Sequence, residues 1–266
     1  QLEKAAARAY KIAESADTAA VSGAQQIINL LPLCLKSCNS VAILGPTYNE
    51  YEKAFKRSGT KTKTVSETSK LSCSDIAIIV NPNNPTGKVI ADETLAGLSK
   101  KVRILIIDES FKMFSSRRTL NFSNIIQINS LGKFFGLAGV RLGFVSGPSE
   151  FIKTVKEMLG PWPVSSLAAE IGIVALNDKV WISEMEKILV TESNALHEVC
   201  NSRNWELVGR TSLFHTYATS SCLEVEKQFA AHGIWVRTFD YSKTWVRLGI
   251  PTSENAWTRV KQALNQ

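Results

Sequence analysis

Cysteine and histidine are scarce in this chain of 266 residues, which holds five of the first and three of the second. No two cysteines form a CxxC pair, and Cys34 and Cys38 sit four apart in an apolar helical pattern. That argues against a disulfide scaffold or a zinc site and fits a reducing cytoplasm. His197, His215 and His232 lack metal-ligand spacing and read as structural or exposed, so no metal is expected. No apolar run approaches the roughly 20 residues that cross a bilayer, which excludes an integral membrane protein. With 15 glycines, 8 prolines and 21% charged residues, a collagen-like or disordered chain is excluded as well. Dense basic blocks are also missing. The 31 basic and 24 acidic residues leave +7, but the charges are scattered. Small anionic molecules are therefore the expected partners, and nucleic acid is not. The N-terminus is a charged helical pattern rather than a signal peptide.

What is present is a core-forming composition, 44% hydrophobic, enough for one or two domains. Residues 2–15 read as a helix rich in alanine and charge, with no strand or arm before it. Ser22 and Gly23 then open a second apolar helical run, residues 22–35. From residue 41 a rhythm begins. VAIL (41–44), IAIIV (76–80), RILII (103–107), IIQI (125–128) and LGFVS (142–146) are short apolar runs. Such runs read as strands buried on both faces. Helical patterns at 49–57 and 91–100 alternate with them, which predicts an α/β fold with a mainly parallel sheet and flanking helices. The pattern changes after residue 148. A helix at 149–159, a break at GPWPVSS (160–166) and a helical stretch over 167–203 lead into short strands mixed with helices. Expected domains are 1–185, a large α/β domain that the resemblance given below makes the cofactor-binding one, lacking that family's N-terminal arm, and 186–266, a smaller C-terminal α+β domain. Trp162 and Trp235 are read as packing residues.

Polar residues follow the strands directly. In open α/β sheets, ligands bind outside the carboxyl ends of the strands. Tyr48, Asn84, Asp108, Ser130 and Lys133 share that position and could face one crevice. Lys133 is flanked by Gly132 and two phenylalanines. Partial burial would make it a neutral amine suited to covalent catalysis; the alternative is a surface lysine lying over aromatics. Asp108 ends an apolar strand, as a partner for a cationic ring nitrogen or as a plain helix cap or ion pair. NPNNPTG (81–87) is a turn by composition, or a turn whose asparagine donates to a ligand. SGAQ (22–25) opens a helix that can take phosphate on its N–H groups, although most helix starts bind only water. Arg141 is a phosphate holder or a surface ion pair, and Arg247 a carboxylate fork or an exposed strand arginine.

In order along the chain, SGAQ, PTY, NPNNPTG, a strand-end aspartate, SxxK and an arginine eight residues later resemble fold-type I enzymes that use pyridoxal 5′-phosphate (PLP), the class I/II aminotransferase-like family. The resemblance covers nearly the whole chain. It is nearest to the decarboxylases of L-threonine O-3-phosphate in cobalamin biosynthesis and to histidinol-phosphate aminotransferases. LGKFFGLAGVRLGF, GPWPVSS and DESF favour the decarboxylases. The resemblance implies that Lys133 carries the cofactor covalently and that Asp108 pairs with the ring nitrogen. It implies that Asn84 donates to the 3-hydroxyl oxygen and Tyr48 stacks on the ring. Ala24, Gln25, Ser130 and Arg141 would hold the phosphate, and Arg247 the substrate carboxylate. A homodimer is implied too. Phe111 stands where the family usually has a tyrosine, which removes one donor to the 3-hydroxyl oxygen. The resemblance thus implies a PLP-dependent lyase, with two alternatives: an aminotransferase on an anionic amino acid, or an inactive or PLP-sensing domain.

Overall fold

The computed structural model describes residues 1–121 and 123–265. The chain forms two compact units, residues 1–84 with 89–182, and residues 85–88 with 183–266. The first runs α1 (Leu2–Ala9), β1 (Asp17–Val21), α2 (Ala24–Cys34), β2 (Ser40–Leu44), α3 (Glu50–Arg57), β3 (Lys61–Val65), β4 (Ile76–Val80), α4 (Asp92–Ser99), β5 (Ile104–Asp108), β6 (Ile125–Ser130), β7 (Gly143–Gly147), α5 (Ser149–Leu159) and α6 (Ser166–Asn177). Its seven strands form one sheet in the order β1-β7-β6-β5-β4-β2-β3. Strands β2 to β6 pair in parallel, and β7 runs antiparallel to both of its neighbours.

The apolar runs explain that sheet. Side chains alternate across a strand, so a strand covered on both faces must be apolar at every position. In β4, Ile76, Ile78 and Val80 enter one core cluster with Ile27 and Leu31 of α2, Tyr51 and Phe55 of α3 and Ile152 of α5. Ala77 and Ile79 of the same strand enter the opposite cluster, with Leu95 and Leu98 of α4. The helices therefore sit on both faces and leave the strand ends as the place where polar groups collect.

Two strands depart from the sequence expectation. The sequence DTAAV reads as alanine-rich rather than strand-like, yet it forms β1 by pairing with β7. KTKTV forms β3, an edge strand with only Val65 buried. Lysines on an exposed edge discourage pairing with other chains, which is why that strand lacks an apolar signature. The expected helix over 2–15 stops at Ala9, where Tyr10 ends it and Lys11 takes a left-handed φ of 54°. The expected long helix over 167–203 is two helices broken at Asp178. Trp162 and Trp235 are 86% and 90% exposed, not packed in the core. Among the described residues no helix is long and apolar enough to cross a membrane, and no cluster of three or more His, Cys, Asp or Glu could hold a metal.

α7 (Lys179–Asn201) leads into the second unit, which continues with β8 (Glu206–Arg210), β9 (Phe214–Ala218), α8 (Cys222–Ala231), β10 (Arg237–Phe239), β11 (Ser242–Gly249) and α9 (Glu254–Leu264). Its four strands form an antiparallel sheet in the order β10-β11-β9-β8. A polar string lies in its core. His215 Nε2 is 2.8 Å from Ser193 Oγ, and its Nδ1 is 3.1 Å from the Tyr217 hydroxyl, which also lies 3.2 Å from His197 Nδ1. Burial, with help from Arg210 and His197, pushes His215 down from its ordinary 6.5 to about 4. An unfolded chain would take up a proton near pH 6.5 that the folded chain refuses until about pH 4. Stability is therefore full above pH 6.5, falls as pH drops toward 4, and loses nothing more from this group below that. Urea unfolding of wild type and His215→Gln at pH 7 and near pH 4 should show it. The wild type should lose up to about 3 kcal/mol more than the variant between those two pH values.

Candidate active site

Strands β4, β5 and β6 end side by side. Val80 pairs with Asp108 and Asp108 with Ile128, and past these pairs the Asn81 N–H donates to the Asp108 carbonyl at 2.8 Å. Asp108 thus stands at the centre of the row of strand ends, only 4% exposed. Its carboxylate is held at both oxygens. The Tyr51 hydroxyl donates to Oδ2 at 2.8 Å, and the Ser110 N–H donates to Oδ1 at 2.9 Å. Burial raises the Asp108 pKa; the hydrogen bonds from Ser110 and Tyr51 and the charge of Lys133 oppose that rise. Lys133 lies in the turn after β6 with its Nζ 5.3 Å from the centre of the Phe111 ring. Of the two sequence readings, partial burial or a surface lysine lying over an aromatic ring, the structure shows the second: the residue is exposed. The phenylalanines that flank it, Phe134 and Phe135, turn away and pack on each other and on Trp181.

The NPNNPTG segment divides its labour. Asn81 fastens the turn, donating to the Ile90 carbonyl at 3.0 Å and accepting from the Ile90 N–H at 2.9 Å. Asn83 donates to the Pro46 carbonyl at 3.0 Å and accepts from Thr47 Oγ1 at 2.6 Å. Asn84, half-buried, follows at the end of the first unit.

A second group of residues gathers where α2 begins. Gly23 precedes the helix with φ 78°, and a Cβ there would lie 2.6 Å from Arg141 Nη2. At Gly143, paired with Ser130 across the β6–β7 ladder, a Cβ would lie 2.8 Å from the Ala24 nitrogen. Both glycines keep the Ala24 N–H and the Arg141 guanidinium accessible at a helix start, where an anion is stabilised. Tyr48 is tied to this group through its hydroxyl, which donates to Gln25 Oε1 at 2.9 Å. Ser130 Oγ accepts from the Gly132 N–H at 3.2 Å. The first unit thus brings Ala24, Gln25, Tyr48 and Arg141 together, and sets Asp108 and Lys133 near each other. Arg247 lies in the second unit, on β11, directly opposite Arg237 of β10 and 4.9 Å above the Phe214 ring. Burial and the Arg237 charge lower its pKa.

Two features escape a reading of the sequence. One is Tyr51, whose position in an amphipathic helix marks it as core. The other is a buried charge cluster beside Asp108. Glu109 meets Lys112 at 2.7 Å and Arg117 at 3.0 Å. Arg117 also donates to Asn129 Oδ1 at 2.8 Å and stacks 4.5 Å over Tyr10. Nothing but the fold brings these residues together.

A mostly parallel sheet with an amine, a carboxylate and an anion cradle at its strand ends is the fold-type I architecture of enzymes that use pyridoxal 5′-phosphate. The model of the aminotransferase class I and II family matches residues 1–264, and the chain belongs to that family. The donor set suits PLP: a lysine amine for its aldehyde, a buried carboxylate for its ring nitrogen, and for its phosphate a helix start at Ala24 beside Arg141 that Gly23 and Gly143 leave uncrowded. Threonine-phosphate decarboxylase from Pseudomonas aeruginosa is 32% identical over 92% of this chain and 76% of its own length. The enzyme of the same name from Sinorhizobium sp is 30% identical over the same shares. Histidinol-phosphate aminotransferase from Clostridium acetobutylicum superposes with a TM-score of 0.87 at 24% identity, covering 99% of this chain and 86% of that one.

Removing one partner of a buried ion cluster leaves the other charge uncompensated. Arg117→Met should therefore lower the unfolding free energy by about 3 kcal/mol in urea. The nearby exposed substitution Arg118→Met should change it by less than about 0.5 kcal/mol.

Proposed function

We propose that the chain is a PLP-dependent carboxy-lyase that converts L-threonine O-3-phosphate to (R)-1-amino-2-propanol O-2-phosphate for cobalamin biosynthesis. The observation that carries this reading is the match of two threonine-phosphate decarboxylases, 32% and 30% identical, each over 92% of the chain. Phe111 in place of a tyrosine beside the lysine supports it. A cytoplasmic homodimer is part of the same reading and follows from the family likeness.

Bound PLP supplies an electron sink, a protonated pyridine ring that accepts the electron pair left when the bond from Cα to the carboxylate breaks. The residues of this chain do the rest. Lys133 would hold the cofactor through its aldehyde and, once freed by the substrate amine, would supply the proton that Cα takes up after CO₂ leaves. Asp108 keeps the ring nitrogen protonated from within a dry strand end. Asn84 would donate to the 3-oxygen, and Tyr48 would cover a ring face. The Ala24 and Gln25 N–H groups, Ser130 and Arg141 would hold the phosphate. In the second unit Arg247 binds the substrate carboxylate. Like charges directly opposite on neighbouring strands repel. The Arg237–Arg247 pair therefore favours a ligand that carries more than one negative charge, as an amino acid phosphate does.

A second reading, transamination of histidinol phosphate, shares every cofactor residue and is supported by a histidinol-phosphate aminotransferase from Buchnera aphidicola that is 30% identical over 65% of the chain. The two part on products. Threonine phosphate labelled with ¹³C at its carboxylate should release labelled CO₂ without added 2-oxoglutarate. Release should vanish in Lys133→Ala, and in Arg237→Gln KM should rise about tenfold or more, the worth of one charge-assisted hydrogen bond. Turnover that requires 2-oxoglutarate and releases no CO₂ would establish the aminotransferase instead.

A further inference from the structure

Tyr51 takes no part in the roles assigned so far, yet its hydroxyl reaches the buried strand end at Asp108. It lies in the first turn of α3, fully buried in the core cluster that also holds Ile78, Val80 and Ile106. Its hydroxyl leaves the core and donates to Asp108 Oδ2 at 2.8 Å. An apolar phenylalanine would fill the same volume, so packing alone does not require the hydroxyl.

We propose that Tyr51 is a positioning residue for the cofactor, a fixed donor that holds the Asp108 carboxylate ionised and aimed so that the shared proton stays on the ring nitrogen. This deepens the PLP reading above and rests on it. The physical reason is the placement of the carboxylate. A buried carboxylate beside a pyridinium nitrogen competes with that nitrogen for one proton, and burial favours the neutral pair. Each hydrogen bond donated to the carboxylate lowers its basicity and moves the proton toward the ring. The groups facing Asp108 are few. The Ser110 N–H and its side chain are on the strand's own continuation, Lys133 carries a charge nearby, and Tyr51 comes from α3. Of these, Lys133 is exposed and engaged in the chemistry, and the Ser110 N–H is fixed backbone. Tyr51 is thus the buried side chain that holds Asp108 from a separate element, α3. Burial and the adjacent carboxylate push the Tyr51 phenol well above its usual range, so it remains a donor at every working pH.

The test reads the proton itself. Protein saturated with PLP labelled with ¹⁵N in the ring is examined by NMR, and the ring-nitrogen shift reports how far the proton sits on nitrogen. In Tyr51→Phe the preference for nitrogen over Asp108 should fall about tenfold, the effect of one hydrogen bond to a charged group, and the resonance should move toward the unprotonated position. Site-specific 3-fluorotyrosine at position 51, a stronger donor of nearly the same size, should move it the other way. A resonance that stays in place in both proteins would overturn the proposal. If Tyr51→Phe does not fold, the fluorinated protein decides alone, and an unmoved resonance there overturns it equally. The cofactor reading fails separately, by a wild-type protein that forms no Lys133-dependent absorbance band with PLP.

Discussion

A carboxylate kept in a dry strand end governs this molecule. Asp108 terminates a strand whose side chains are apolar on both faces, and such a place is hostile to charge. It is tolerated because Tyr51 and the Ser110 N–H each hold one oxygen and Lys133 supplies a positive field. The same burial makes the group useful. In a medium of low effective dielectric, a fixed negative charge stabilises a ring cation far more than it would in water. The parallel sheet provides the setting, since it aligns the ends of β4, β5 and β6 and so delivers a turn asparagine, the aspartate and the lysine turn to one edge.

A second constraint is bare backbone. Gly23 and Gly143 come from distant parts of the chain, yet each sits where a side chain would crowd Arg141 or the Ala24 nitrogen. The opening of α2 is thereby left able to receive an anion, and Tyr48 is tethered to it through Gln25. Glycine here is a requirement of close approach, and Gly23 also needs its left-handed φ of 78°.

The sheet interior was legible because strands covered on both faces need unbroken apolar runs, and IAIIV and IIQI are such runs. β1 and β3 were not legible: one is rich in alanine, and the other is an exposed lysine edge. The candidate site residues Tyr48, Asn84, Asp108, Ser130 and Lys133 stood out because polar groups that follow buried strands in an open α/β sheet share one edge. Tyr51 did not, because a tyrosine on the apolar face of a helix looks the same whether or not its hydroxyl has a task. The Glu109–Arg117 cluster was hidden for a different reason, since the pairing depends on how the loop after β5 folds back. Trp162 and Trp235 show the reverse error, large aromatic residues taken for core that lie in solvent.

The central claim is that this strand end is a PLP site organised around one lysine. Borohydride reduction of the PLP-loaded protein, followed by peptide mapping, tests it most directly. The account predicts a single stable label on the peptide carrying Lys133, and none when Lys133 is replaced by alanine. A label spread over surface lysines, or one that survives the replacement, would contradict it.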